Sequence, residues 1–483
     1  MLFHSWDFLV FFLVFYCVYL FVKGTRLKLP WLLVSSYVFY ARSHPVYLVL
    51  ICWATVFDYA AVRAMVKTRW KRPWLVLSIV NNLGLLGFFK YGRFLVDNVN
   101  ALLERCDVPF AISDPNVSFL STGLNAALSW LGTSYRVPPF DFMLPVGLSF
   151  YTFLSLGYVI DVYRGHVERE RNLLRHATFI SLFPQLLAGP IERAGHLLPQ
   201  LRGVPKITRD DVADGLSLFV VGLFKKIALA DYLALYVGMV YAAPRDYQAP
   251  ALLLATFAYA WQIYFDFSGY TDMARGVARL MGIRLMLNFN NPYLATGLGD
   301  FWRRWHISLS TWFRDYVYIP LGGNRHGEVR TYINMILTML ISGLWHGAMW
   351  TYVMWGAVHA AGRVCTRALE QTTVYRERVP RFAKQMLTFS IVMVAWVFFR
   401  AASVSDAWLI LGRIITSGLA DPLFPLLLVG LVLSVWVYQY VYESRFRRIV
   451  SAGPVRAVLI VAMLIYMAAA VTSSNQEFIY LGF

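Results

Sequence analysis

Residues 342–360 read SGLWHGAMWTYVMWGAVHA, and the reading of this stretch decides the fold class. It lies within an apolar run, 331–370, that matches membrane-spanning helix far better than a soluble core element. One ionisable side chain, His346, stands about midway along the expected span 331–352, flanked by Trp345 and Gly347. No Lys or Arg lies within ten residues on either side, so interfacial snorkelling does not account for it. An ionisable group at membrane depth needs a partner helix, a wet cavity or a chemical task. A hydrogen bond to a neighbouring helix satisfies that need. Proton transfer satisfies it too, because imidazole takes and returns protons near neutral pH.

Outward from this stretch the whole chain has the same character. Of 483 residues 58% are hydrophobic and 15% charged, against about 45–50% and about 25% in soluble chains. The expected fold class is therefore all-α and polytopic, with 1–483 as a single integral-membrane domain in the lipid bilayer. The net charge of +17 is distributed between apolar segments, as a topology signal and a headgroup attraction require. No basic and aromatic surface for nucleic acid stands out. Cys17, Cys52, Cys106 and Cys365 lack metal or redox spacing, and the histidines lack metal-ligand spacing, so no metal is expected.

Expected spans fall near 7–22, 29–42, 46–66, 73–91, 142–163, 212–241, 251–275, 331–352, 353–370, 385–402, 424–442 and 455–472. The first has no small-residue cleavage site after it and reads as a retained span. Lys and Arg concentrate in 23–28, 67–72, 164–171, 202–209, 275–330, 363–384 and 445–448. The alternate connections, 93–139, 242–250 and 402–422, read as less basic loops. This alternation predicts both termini outside and the basic loops in the cytoplasm. Two stretches do not read as simple spans: 179–201, with Glu192 and Arg193 among prolines and glycines, and 288–323, where NFNNPY precedes arginines and PLGG. Irregular backbone at membrane depth is tolerated only inside protein or along a wet cavity, so both predict re-entrant or tilted elements.

The polar residues inside these segments are the candidates for function. Asp266 and Tyr270, in YFDFSGYTDMARG (264–276), are four apart and share a helical face. They either tie helices together or line a tunnel. His306 lies in FWRRWHISLSTWFRDYVYIPLGG (301–323), which reads as an amphipathic interfacial helix or as the polar floor of a tunnel. In the second reading its arginines, Arg303 and Arg304, meet a phosphorylated donor. Asn291 and Trp345 join Asp266, Tyr270 and the two arginines as candidate tunnel or positioning residues. His359, near a span end, reads as structural. Nucleotide-binding glycine loops, a serine nucleophile elbow and HExxH are all missing from the sequence.

Six ordered stretches resemble the membrane-bound O-acyltransferase family, and within it the bacterial alginate O-acetyltransferase branch. They are LPVGLSFYTF (144–153), LFPQLLAGPIERAGHLLPQL (182–201), YFDFSGYTDMARG (264–276), NFNNPYLA (288–295), WRRWHISLSTWFRDYVYIPLGG (302–323) and SGLWHGAMWTYVMWGAVHA (342–360). They place the most specific core at 142–362. The resemblance implies a ring of about 11–13 tilted helices, with short re-entrant and interfacial helices, around a thin septum and tunnel. It implies a bacterial inner-membrane enzyme with catalytic histidines His346, as general base, and His306. It implies no permanently bound cofactor, and an acyl thioester donor, acetyl-CoA. The implied acceptor is a cell-surface polysaccharide such as alginate, reached through extracytoplasmic partner proteins. The tail SSNQEFIYLGF (473–483) resembles the family's aromatic ending, which makes Tyr480 a candidate acyl relay. Acyl transfer to peptidoglycan, cellulose or teichoic acid, a transporter or flippase, and a non-catalytic scaffold stay open as alternatives.

Overall fold

The computed structural model describes all residues except 43–44, 116–117, 131, 134–144, 146, 188, 421–425, 451 and 471–483. The tail 473–483, and with it Tyr480, lies outside the described residues. Among the described residues every regular element is a helix. A helix bonds its backbone N–H and C=O groups internally, which hydrocarbon demands. Each expected span contains helix. Three helices are long and apolar enough to cross a membrane by length and composition alone: Leu48–Lys67, Lys71–Arg105 and Arg381–Arg400. Trp6–Val22 and Gly453–Ala469 are shorter apolar helices.

Three expectations from hydropathy are corrected. The span expected at 73–91 does not end in a loop. It passes through a π turn, Gly87–Tyr91, into Gly92–Arg105, because GRFLVDNVNALLER has no proline and keeps helical spacing of its apolar residues. The connection expected at 402–422 contains the helix Val404–Thr416, capped by Ser403, whose hydroxyl accepts from Asp406 N at 3.0 Å. Finally, the span 331–352 breaks at Gly347, which is extended (φ −165°, ψ 155°). One helix, Gly327–His346, therefore ends on His346, and Trp350–Gln371 begins after a short connection. His346 is at a helix end, not midway along a span.

The glycines explain that break and the tightness of the turn. A Cβ on Gly347 would fall on the Tyr352 ring, and one on Gly356 would lie 2.6 Å from Met339 O. The two helices approach each other backbone to backbone. The same device builds the core. The 32-residue helix Ala249–Leu280 is almost wholly buried and is ~48 Å long at 1.5 Å per residue. That exceeds the ~30 Å hydrocarbon thickness, so it lies tilted or extends beyond it. It packs antiparallel to Arg209–Leu223 through two glycine pairs spaced seven residues apart on both helices. A Cβ on Gly276 would lie 2.6 Å from Gly215 O, and one on Gly222 would lie 2.5 Å from Gly269 O. Small residues at two-turn spacing allow such contact where no water drives association.

The two stretches expected to be irregular are so. Around the first, the helices Leu173–Ser181, Phe183–Leu186 and Ala194–Arg202 form, with non-helical backbone over 189–193. Residues 288–318 form short pieces: Pro292–Leu294, Leu298–Arg304, Ile307–Phe313 and the π turn Arg314–Tyr318.

The glycine pairs give a direct test of this packing. Gly276→Leu forces a side chain into the Gly215 carbonyl and costs about 1–3 kcal/mol. It is expected to lower the thermal midpoint of the detergent-purified protein. Gly412→Ala, where a Cβ meets nothing within 4 Å, is expected to leave the midpoint unchanged or raise it.

Candidate active site

His346 is 3% exposed and sits in a box of aromatic rings. Ring centroids of Trp345, Trp355 and Phe399 lie 4.9, 4.8 and 5.3 Å from its own. Trp355 is supplied by the helix after the break and Phe399 by the end of Arg381–Arg400. These walls exclude water and leave the imidazole in a low-dielectric chamber, where each remaining polar interaction counts for more.

His306 reaches the same chamber from the irregular segment. It caps Ile307–Phe313 with left-handed backbone (φ 41°), a conformation a non-glycine residue adopts only when its surroundings hold it. Asn288 supplies that hold. Its Oδ1 lies 3.2 Å from His306 Nδ1 and accepts from Ser308 N at 3.2 Å and Ser308 Oγ at 2.9 Å. The backbones of the two segments also pair, with Ile307 N donating to Asn288 O at 2.9 Å and Asn290 N to Arg304 O at 2.9 Å. Phe267 stands edge-on to the His306 ring at 4.6 Å, and Trp345 lies 6.3 Å away. Trp345 is thus the shared wall between His306 and His346. The Nε2 of His306 is buried with no hydrogen-bond partner in the protein, an atom that has capacity for a ligand.

Two cavities open close to this chamber. An apolar one of about 230 Å³ is lined by Trp302, Leu309, Phe313, Met335 and Ser342, among others. Ser342 precedes His346 by four residues, one helical turn. Trp302 packs against Trp355 at 5.8 Å and against His359 at 4.9 Å. A second, polar cavity of about 390 Å³ is lined by Asp300, Arg303, Arg363, Glu370, Arg376 and Lys384, four cations to two carboxylates. Gly299 and Arg363 line both cavities, so a basic mouth and an apolar slot share a wall.

The structure brings His306, Trp345 and His346 together and puts Arg303 on the basic mouth. It places the other candidates in ties between helices. Arg304 pairs with Asp300 at 3.2 Å and with Glu443 at 2.6 Å, and Asn291 donates to the same Glu443 at 3.4 Å. Asp266 pairs with Lys226 at 2.8 Å, and the same amine reaches Asp231 at 2.9 Å. Tyr270 packs on Phe3, with ring centroids 4.8 Å apart.

One residue was read differently from the sequence and one escaped it. His359, read as structural near a span end, is fully buried beside Trp355 and Trp302, and neither ring nitrogen has a hydrogen-bond partner in the protein. Its spacing from Trp355, i and i+4, was the available signal. Lys90 reaches the end of the His346 helix from the other side of the chain. Among the described residues no three His, Cys, Asp or Glu side chains gather so as to hold a metal ion.

A buried pair of histidines beside an apolar slot and a basic mouth suits transfer of a small group from a charged carrier. Comparison with known proteins identifies the family. The profile of the membrane-bound O-acyltransferase family matches residues 162–405. A probable alginate O-acetylase of Pseudomonas aeruginosa is 41% identical over 84% of this chain and 74% of its own length. That of Azotobacter vinelandii is 41% identical over 84% and 77%. A peptidoglycan O-acetyltransferase of Helicobacter pylori is 33% identical over 82% and 75%. Sequence motifs, all-helical fold and these matches agree: the chain belongs to the membrane-bound O-acyltransferase family and is an integral-membrane acyltransferase.

Proposed function

We propose that this enzyme takes an acetyl group from cytoplasmic acetyl-CoA and delivers it across the bacterial inner membrane for O-acetylation of an exported polysaccharide, alginate or a polymer like it. The observation that carries this reading is the placement of His346 at a helix end, one turn from Ser342 on the wall of an apolar slot that adjoins a basic mouth. The mouth draws on the 275–330 and 363–384 segments, whose Lys and Arg content assigns them to the cytoplasmic face. Coenzyme A is polyanionic and does not enter hydrocarbon cheaply. Arg303, Arg363, Arg376 and Lys384 suit its phosphates, and the apolar slot suits its pantetheine arm. Only the acetyl group then has to reach the histidines.

The chemistry follows from two neutral imidazoles. His346 takes the proton of an acceptor hydroxyl as its oxygen attacks the thioester carbonyl. The tetrahedral intermediate places its negative charge on the former carbonyl oxygen, while neutral His306, whose Nδ1–H is donated to Asn288 Oδ1, orients the thioester arm through the Nε2 lone pair, which accepts a hydrogen bond. The intermediate collapses with departure of the coenzyme A thiolate, which takes the proton back from His346. An oxygen ester and a free thiol result. Trp345 holds the two rings apart and keeps water out.

The acceptor in this first transfer is either the final polymer or Tyr480, which then carries the acetyl group as a phenolic ester. Extracytoplasmic partner proteins would complete the second transfer. The identity to alginate O-acetylases favours an alginate-like polymer. The Helicobacter pylori relative favours peptidoglycan as the second reading of the acceptor.

Three outcomes are expected in proteoliposomes supplied with labelled acetyl-CoA. His346→Ala lowers the rate of acetyl transfer by about 10²–10⁴-fold while protein inserts normally. Wild-type turnover in that variant removes His346 as the base. Arg303→Gln combined with Arg376→Gln raises the donor KM by roughly 3–10-fold, with kcat unchanged and a weaker effect at high salt. Tyr480→Phe abolishes base-labile label on the protein and lowers polymer acetylation. Unchanged polymer acetylation in that variant excludes the relay.

A further inference from the structure

The helix Gly327–His346 ends where the reaction needs an accurately placed ring, and it ends without a cap of its own. Its last four carbonyls have no intrahelical partner, and Gly347 is extended rather than left-handed, so the usual glycine cap is not made. Three of those four carbonyls are instead bonded by two consecutive side chains of another helix. Tyr91 Oη donates to Leu344 O at 2.6 Å. Lys90 Nζ donates to Trp345 O at 2.5 Å and to His346 O at 3.1 Å, and lies 3.4 Å from Ser149 Oγ. We infer that Lys90 and Tyr91 are positioning residues for the acyl-transfer reaction: together they form an external cap that fixes the backbone of His346 and so aims its imidazole.

Three observations separate this from an ordinary structural contact. Lys90 lies inside a helix long and apolar enough to cross the membrane, where a cation is costly and is normally paired. Among the other buried or half-buried lysines, Lys225 pairs with Asp272 at 2.7 Å and Lys226 with Asp231 and Asp266, while Lys28, at the first position of its own helix, donates to Leu201 O and Gly203 O. The amine of Lys90 meets carbonyl oxygens at the negative end of a helix macrodipole, so its compensating charge is the end of the His346 helix itself. It also lies 5.6 Å from the centroid of the Trp345 ring, the wall shared by both histidines. Finally, both residues belong to the π turn Gly87–Tyr91. Such turns distort an otherwise regular helix and are concentrated at functional sites.

The consequence is specific to turnover. A displacement of about 1 Å at a reacting group costs on the order of 10²-fold in rate. The cap holds the last turn of this helix, which carries the base, while the apolar slot uses Met335, Thr338, Met339 and Ser342 farther back along it and the basic mouth is built from other segments. Loss of the cap therefore lowers kcat and spares donor binding.

This inference rests on His346 being the base, so the test includes His346→Ala beside the cap variants. Lys90→Met, Lys90→Arg and Tyr91→Phe are assayed for kcat, donor KM and thermal midpoint in the full-length protein. Lys90→Met is expected to lower kcat about 10–100-fold with donor KM within about threefold of wild type. Lys90→Arg, which keeps donors at that place, is expected to recover most of the loss. Tyr91→Phe is expected to lower kcat several-fold at a nearly unchanged midpoint. If Lys90→Met does not accumulate, Tyr91→Phe decides: wild-type kcat there overturns the inference. Wild-type kcat in a well-inserted Lys90→Met, or a loss confined to KM, overturns it as well. A fully active His346→Ala would instead remove the reading on which it rests, whatever the cap variants do.

Discussion

A polar group at membrane depth has no water to bond, and each must find its partner inside the protein. Much of the architecture follows from that constraint. Asp58 accepts from Ser78 at 2.5 Å, from Asn82 at 2.8 Å and from Ser155, and so joins three helices. Lys226 joins Asp231 to Asp266 across the pair of helices already locked by facing glycines. Glu443 gathers Arg304 and Asn291 onto one carboxylate. Removing one partner from such a group leaves the other stranded, at about 3–5 kcal/mol for a buried ion pair. The polar residues are therefore also the fasteners of the fold.

The same constraint makes the exceptions informative. Buried polar atoms without a partner in the protein occur in several places, and three of them lie in the chamber around His346. His306 Nε2 and both nitrogens of His359 lie among the rings that surround His346. The chain builds this chamber from distant pieces: the loop of Asn288, the cap at His306, the break at Gly347 and the end of Arg381–Arg400. Its walls are tryptophans and phenylalanines, which exclude water and leave orientation to a few hydrogen bonds. Acyl transfer benefits from both, because an activated acyl group protected from water is consumed only by the intended acceptor.

Fold class and the histidine pair were legible in the sequence because each depends on local information. An apolar stretch of sufficient length reads as helix, and an ionisable residue within it is conspicuous. The break at Gly347 was not legible, since a short interruption leaves the average hydropathy of 331–370 unchanged. Its cause is the Tyr352 ring and the facing helix, contacts that no window of sequence contains. Asp266 and Tyr270 read equally well as fasteners or as tunnel lining until their partners, Lys226 and Phe3, were seen. Lys90 was hidden for a related reason. At the edge of an expected span it reads as an interfacial flank, while the carbonyls it caps lie 255 and 256 positions away. Glycine spacing of seven is visible in each helix alone, but its meaning requires knowing that the two helices meet.

The central claim is that the donor enters by the basic mouth and presents its thioester carbonyl to His346. A cryo-EM structure of the full chain with a ketone analogue of acetyl-CoA, whose carbonyl cannot be cleaved, tests it most directly. The account predicts the phosphates among Arg303, Arg363, Arg376 and Lys384, and the carbonyl carbon within about 4 Å of the site beside His346 where an attacking oxygen would sit. A carbonyl bound away from both histidines, or phosphates held at another face of the protein, would contradict it.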